Sequence, residues 1–597
     1  MKSFINSRWF ALADLALVAL GGFLWFNYPE LSWQPLLLVL APWFIRLLYG
    51  KFPFQRTPLD LFIFIFLITA VISLYAAFNP LLAWQKWWLL LSSVFLFYTV
   101  AGQPKENHVV MGMILSLGGG VTAVYFFSTQ DWQQYPAGLG ILNEVGMVWM
   151  GIRPTIPGTV MHPNVAASLM AMSFPFVVAM LLYFWRRGKG AAVFLMGMMG
   201  LLTLTGFLLT GSRGAWLALA VGLGLWGLWV VSHSLSQIIL QRQSLIFGLL
   251  VGSISVAAIL LIVTQTGNLM RLIGSGSRPE LMQNSLYLLA DYPLTGSGLA
   301  TFSAVYSQYI LIIPFKFIGH GHNLFLNVAV EQGIIGVLSL LGIIGGAVWL
   351  LLRQITRFKG QADLVTWLQW ATLSSLMVWV VHGLVDDALY GQRGSPLLFL
   401  LAGTAVMITQ IQPDTGRQFK RTRVGLAVAL LLGMLGGLLL YRQTIMAQWY
   451  ANQGALEMAR VELADWPLNE WDDGRNAAAL EPAKTILQRG LSYQENQTAH
   501  YRLGLVAMLE RDYDTAVTHL KTAHQINPNH PGIIKALGYS YLWTDDLENA
   551  ELLLTQVPGT VPELNAYEWW WGVHGRDDLS RSAVKLRDLL QTDPDGS

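Results

Sequence analysis

Long apolar runs fill most of the first 440 residues, and they leave few folds open. A run of about 20 apolar residues crosses a bilayer as a helix, because each backbone polar group must find its partner inside the segment where there is no water. Such runs lie near 9–26, 31–48, 58–78, 84–101, 108–128, 163–185, 191–210, 214–231, 245–265, 323–352, 364–384, 396–411 and 424–440. They predict an all-α, polytopic membrane protein with about 13 transmembrane helices. Composition agrees: 54% of the residues are hydrophobic and 12% charged, against about 25% charged in soluble domains. The chain has no cysteine, which excludes thiol catalysis, disulfides and thiolate metal sites.

The first run follows Lys2 and Arg8 and lacks a small-residue cleavage site, so it reads as an uncleaved span. Threading thirteen spans from a cytoplasmic N-terminus places seventeen Lys and Arg residues inside and seven outside, as the positive-inside rule requires. That topology puts large loops near 128–161 and 266–321 on the outer face, together with everything after residue 440. From Tyr441 onward there are 13 basic and 22 acidic residues, whereas the rest of the chain is basic. Residues 1–440 therefore read as a membrane domain and 441–597 as a soluble, extracytoplasmic one.

In the soluble part, Leu503, Gly504, Ala516, Leu520 and Pro528 recur 34 residues later as Leu537, Gly538, Ala550, Leu554 and Pro562. That period and those residues are the signature of tetratricopeptide helix pairs, clearest at 497–530 and 531–564. A shifted copy is expected at about 455–495, with Ala483 and Leu487 in its second helix, and a closing pair at 563–590. Such an α-solenoid offers a concave surface to a protein or peptide, or serves as a spacer.

Four places in the membrane part carry chemistry. At 3.6 residues per turn, Asn323, Asn327 and Glu331 form one polar stripe on an apolar helix, with His322 at its mouth. Carboxyls in a membrane helix face a cavity or a partner, so the stripe marks either a site or a polar seam between helices. Gly333 and Gly336 leave a flat patch for a neighbouring helix. The tight connection Thr210-Gly211-Ser212-Arg213-Gly214 holds Arg213 at the mouth of the next helix, suited to a phosphate or to snorkelling toward headgroups. In the second loop, Ser277 with Glu280 is a capping box, so Arg278 starts a helix expected to lie on the membrane surface. His382 and Asp386 share a helical spacing that suits a structural pair, and a divalent cation at Asp386-Asp387 is disfavoured for want of further oxygen ligands. The acidic soluble part and the lack of a basic, aromatic-laced groove speak against nucleic acid.

Arg213, Arg278 and His322 fall on one face in this topology. Two arginines can grip a diphosphate through bidentate bonds, and an imidazole can take a proton from an attacking hydroxyl. Together they suit transfer of a sugar carried on a lipid diphosphate. A transporter or flippase of lipid-linked glycans, with the arginines and Glu331 lining a path, is the competing reading, and a membrane-anchored scaffold is a third.

The segment His322-Asn323, nine residues, Gly333, two residues, Gly336 resembles a motif of the bacterial O-antigen ligase and O-antigen polymerase family. Thr210 to Ala215 resembles the family's other landmark, and Arg278 through Gly298 its large outer loop. The resemblance implies a GT-C-like membrane glycosyltransferase, metal-independent, without cofactor, and inverting. It would move a glycan from undecaprenyl diphosphate to an acceptor hydroxyl on the outer face of the bacterial cytoplasmic membrane. The acceptor would be a glycan, a lipid or a protein. It further implies that Arg213 and Arg278 bind the diphosphate, that His322 activates or orients the acceptor, and that Asn323, Asn327 and Glu331 lie in the substrate site. The extra span and the tetratricopeptide part depart from the usual ligase layout, which makes a protein or cell-wall polymer as fitting an acceptor as lipid A core.

Overall fold

The computed structural model describes residues 5, 7–137, 140–154, 159–238, 277–310, 319, 321–355, 363–391, 394–409, 436–437, 439–464, 466–467 and 478–592. Their regular elements are all helices. The first fourteen are α1 (Arg8–Asn27), α2 (Leu36–Leu48), α3 (Asp60–Ala76), α4 (Pro80–Ala101), α5 (His108–Thr129), α6 (Gly140–Ile152), α7 (Pro163–Arg186), α8 (Gly190–Leu209), α9 (Arg213–Ile238), α10 (Ser277–Asp291), α11 (Phe302–Ile310), α12 (Leu324–Ile355), α13 (Leu364–Gly383) and α14 (Leu400–Thr409).

Among the described residues, seven helices are long and apolar enough to cross a membrane: α1, α5, α7, α8, α9, α12 and α13. The chain is a multi-pass membrane protein. The expected runs near 31–48, 58–78 and 396–411 form shorter helices among the described residues, and that near 84–101 forms α4, which is not one of the seven. Residues 29–31 make a separate 3₁₀ turn before α2, and the Thr57 hydroxyl and amide both donate to the Asp60 carboxylate that opens α3. The expected span at 245–265, and nearly all of that at 424–440, lies outside the described residues. The first large loop contains a helix, α6, that its Trp- and Pro-rich sequence did not announce.

Within the bundle, α7 packs between α5, α8, α9 and α13, while α12 lies against α3, α13 and α14. Lipid removes most of the hydrophobic driving force between helices, so close packing must supply it. At Gly222 of α9, a Cβ would come within 2.6 Å of the Ser374 carbonyl of α13. Large side chains such as Phe66, Phe97, Phe126, Phe176 and Trp370 fill the space between the remaining faces.

The stretch expected as one span at 323–352 is a broken helix. Gly333 has φ +73° and ψ −178°, outside helical values, a conformation that glycine reaches without a Cβ penalty. The break lets Ile334 N–H donate to Pro293 O, while Ser297 N–H donates to Val330 O and Gly298 N–H to Glu331 O. Gly333 is therefore the seat of the 293–298 loop, not part of a flat helix-packing patch. Gly336 does face a neighbour, Thr69 of α3.

Helix α10 runs from Ser277, one residue before the start that the capping box predicts, and it does not simply lie on a membrane surface. Its Leu281 and Leu288 share one core with Phe302 and Tyr306 of α11, Val330 of α12, and Ala455, Leu456 and Ala459 beyond the bundle. Those last residues belong to α15 (Arg442–Glu462), which opens a stack of helix pairs: α16 (Glu481–Leu491), α17 (Gln497–Leu509), α18 (Tyr513–Ile526), α19 (Pro531–Trp543), α20 (Leu547–Leu554), α21 (Thr560–Val573) and α22 (Asp577–Thr592). The two clear repeats coincide with α17–α18 and α19–α20, and Ala483 and Leu487 sit buried in α16. The repeating Gly and Leu are a matched pair: a Cβ on Gly504 would meet Leu520 at 2.4 Å, and one on Gly538 would meet Leu554 at 2.6 Å.

Candidate functional site

His322 precedes α12 with φ +45°, a left-handed conformation uncommon outside glycine. Asn323 fixes the entry that follows. Its Oδ1 accepts from the Phe325 and Leu326 amides, as a helix cap should, and its Nδ2 donates to Leu384 O at 3.0 Å. That bond ties the mouth of α12 to the end of α13. The next residues bring in two carboxylates: His322 Nδ1 stands 3.8 Å from Asp386 Oδ2, and that oxygen accepts a hydrogen bond from Asn164 Nδ2 at 2.6 Å. Asn164 lies in the first turn of α7, capped by the His162 ring. Asp386 is 2% exposed, so its charge is held by these partners and not by water.

One turn further in, Asn327 Nδ2 donates to Asp387 Oδ2. A further turn brings Glu331, whose Oε2 accepts from Lys86 Nζ of α4 at 2.7 Å. The Lys86 ammonium also lies 3.8 Å from the centre of the Tyr390 ring, and Tyr390 OH accepts from Gln332 Nε2 at 2.9 Å. The predicted stripe is real, and its three members are buried and bonded to α4 or to the 384–391 segment.

Arg213 is exposed at the start of α9, after Gly211 at φ +66°. The neighbouring Gly214 packs so closely that a Cβ would meet Val385 at 2.7 Å and the His382 ring at 3.5 Å. The mouths of α7, α9 and α12 and the end of α13 thus meet around residues 382–387, bringing Arg213 and His322 to one end of the bundle. Arg278 lies in the first turn of α10, and its side chain lies outside the described residues.

The loop after α10 packs against the same stretch of α12. Gly296 takes φ +70°, and a Cβ there would fall 2.1 Å from Glu331 O. Ser73 Oγ donates to Thr295 O at 3.0 Å, so α3 holds the loop from its other side.

Asn164, Lys86, Asp387 and Tyr390 are partners that sequence reasoning did not assign to the site. Lys86 was legible as a lone basic residue in an apolar run facing the lone acid Glu331. The other three signal nothing by spacing, because their partners are 58 to 222 residues away. His382 and Asp386 are joined through the Asp386 amide and the His382 carbonyl at 2.8 Å, while the Asp386 carboxylate turns to Asn164 and His322. Among the described residues, no group of three or more His, Asp or Glu is arranged to hold a metal ion.

Comparison with known proteins supplies two matches. The family model described as O-antigen ligase matches residues 198–341, and one described as tetratricopeptide repeat matches residues 507–567. No curated protein and no solved structure matches the chain. The first match runs from α8 to α12 and so includes Arg213, Arg278, His322 and the broken helix. The chain is a membrane protein with an O-antigen ligase domain and C-terminal tetratricopeptide repeats.

Proposed function

We propose that this protein transfers a glycan from undecaprenyl diphosphate to an acceptor hydroxyl, at the end of the bundle where α7, α9 and α12 begin. The observation that carries the reading is His322 Nδ1 standing 3.8 Å from the buried Asp386 carboxylate, beside the helix start that bears Arg213. A carboxylate next to one imidazole nitrogen favours the proton there and leaves the other nitrogen as the base. The acceptor O–H gives its proton to that nitrogen, its oxygen bonds to the anomeric carbon, and the bond from that carbon to the diphosphate oxygen breaks. Attack opposite the leaving group inverts the sugar. Arg213 and Arg278 take up the charge that the diphosphate gains. The donor end faces the outside of the cytoplasmic membrane, and the solenoid lies on that side.

Lys86 and Glu331 weigh against the transporter reading, since they neutralise each other at 2.7 Å instead of lining a path. The acceptor class stays broad: a polysaccharide, a lipid-linked core or a protein. The test is transfer from a defined undecaprenyl-diphosphate glycan in detergent by Arg213→Ala, Arg278→Ala and His322→Ala. Loss of transfer in all three is expected; folded variants that all retain it remove the enzyme reading.

A further inference from the structure

The last residue of α10, Asp291, is gripped by the solenoid. Arg502 Nη2 donates to Asp291 Oδ2 at 2.8 Å, and Thr498 Oγ1 donates to Asp291 Oδ1 at 2.9 Å. Thr498 and Arg502 stand one turn apart on α17, so a single helix face takes both carboxylate oxygens. The guanidinium carbon lies 5.7 Å from the Tyr292 ring and 5.5 Å from the Tyr501 ring, and the pair's side chains are 4% and 0% exposed. Further contacts hold the same region. Asn452 of α15 accepts from the Leu294 and Thr295 amides and donates to Thr295 Oγ1 at 2.8 Å, and Tyr287 OH donates to Asn529 O at 3.2 Å. The faces of α15 and α17 turned toward the bundle are therefore occupied by the chain's own residues.

A buried ion pair adds little net stability compared with an apolar pair of the same shape, but it fixes one arrangement of the elements it joins. Here the joined elements are the solenoid and α10, and the residues just after α10 fill the break in α12. We propose that Arg502 is a positioning residue of the transfer site, acting through Asp291 to set the direction of α10 and so the place of Arg278. This rests on the transfer reading above. Arg278 lies 13 residues before Asp291 on the same helix, about 20 Å at 1.5 Å per residue. A tilt of about 10° at Asp291 then displaces the first turn by about 3 Å, far more than a well-placed binding group tolerates. Asp291 at the carbonyl end of α10 is also where a cation is favoured, so the guanidinium suits both the carboxylate and the helix end.

The test uses the full-length protein. Because either single change strands a buried charge, the decisive variant is Asp291→Asn with Arg502→Met, alongside Arg502→Lys as the conservative change. Donor and acceptor kinetics are measured with the defined undecaprenyl-diphosphate glycan. The chain has no cysteine, so spin labels on Gln283→Cys of α10 and Gln34→Cys before α2 report the direction of α10 without background. The expected result is a donor KM raised about tenfold or more, kcat within about twofold, and a broadened or shifted label distance. Arg502→Lys restores most of both. A folded double variant with parental donor KM and parental label distances overturns the proposal. Failure of the parent protein to transfer would sink the transfer reading, and the label distances would still decide whether Arg502 directs α10.

Discussion

Lys86 and Glu331, 245 residues apart in sequence, meet at 2.7 Å inside the membrane unit, with side chains 10% and 3% exposed. The pair links α4 to the last turn of α12 before its break. Removing one member leaves the other charge buried without its counter-ion, so Lys86→Met alone or Glu331→Leu alone is expected to lose about 3–5 kcal/mol. The double variant Lys86→Met with Glu331→Leu is expected to be far nearer the parent, because no lone charge remains. Thermal unfolding in detergent checks this, and a double variant as unstable as the sum of the singles would show that the two charges act separately.

Gly333 has a role that no other residue type fills comfortably. A Cβ would stand 2.8 Å from Pro293 O and 2.9 Å from Leu294 O, and the φ of +73° disfavours any L side chain. Gly333→Ala is expected to destabilise the protein by about 1–3 kcal/mol and to displace the 293–298 loop. The accompanying loss of transfer should exceed that of Gly345→Ala, since nothing lies within 4 Å of a Cβ at Gly345. Equal activity of the two variants would show that the break does not serve the site.

Much of this architecture was legible because it follows from period and composition. The Asn323, Asn327 and Glu331 stripe and the 34-residue repeat with its Gly504–Leu520 and Gly538–Leu554 packing are local patterns, and local patterns survive reading one sequence. The break at Gly333 was misread, because a glycine in an apolar run signals close packing and chain interruption equally well. Asp386 was read through its spacing from His382, whose carbonyl does accept from the Asp386 amide; what spacing could not show is the bond that Asn164, 222 residues earlier, gives to the Asp386 carboxylate. The helix pairs from Arg442 onward were read as a separate soluble unit by their charge. Yet Ala455, Leu456 and Ala459 share a core with α10 and α12, a contact that no composition reveals.

The Asp386 carboxylate faces His322 Nδ1 at 3.8 Å and holds Asn164 at 2.6 Å. Asp386→Asn keeps the shape and removes the charge that orients the imidazole. It is expected to lower kcat about 10²-fold or more with little change in donor KM, in the range for loss of general-base assistance. Asn164→Ala, which frees the carboxylate from its fixing bond, is expected to lower kcat less. If Asp386→Asn instead raises donor KM alone, the carboxylate acts in binding and the base assignment for His322 loses its support.

His530 gives the solenoid contact a pH dependence. It caps α19 through Nδ1, accepting from Ile533 N at 3.2 Å, and its ring packs against Tyr287 of α10 and Tyr501 of α17. Burial pushes its pKa down from 6.5 to about 4, with Asp291 opposing that shift and Arg502 adding to it. Between those values the unfolded chain binds a proton that the folded chain refuses, so stability rises with pH across the window. The neutral ring's contribution is complete above pH 6.5 and is lost progressively as pH falls toward 4, by about 3 kcal/mol in all. His530→Asn keeps a capping oxygen and removes the titration. The variant should therefore unfold with a flatter stability profile between pH 4 and 6.5 than the parent. Parallel profiles for the two proteins would mean that another group carries the acid sensitivity.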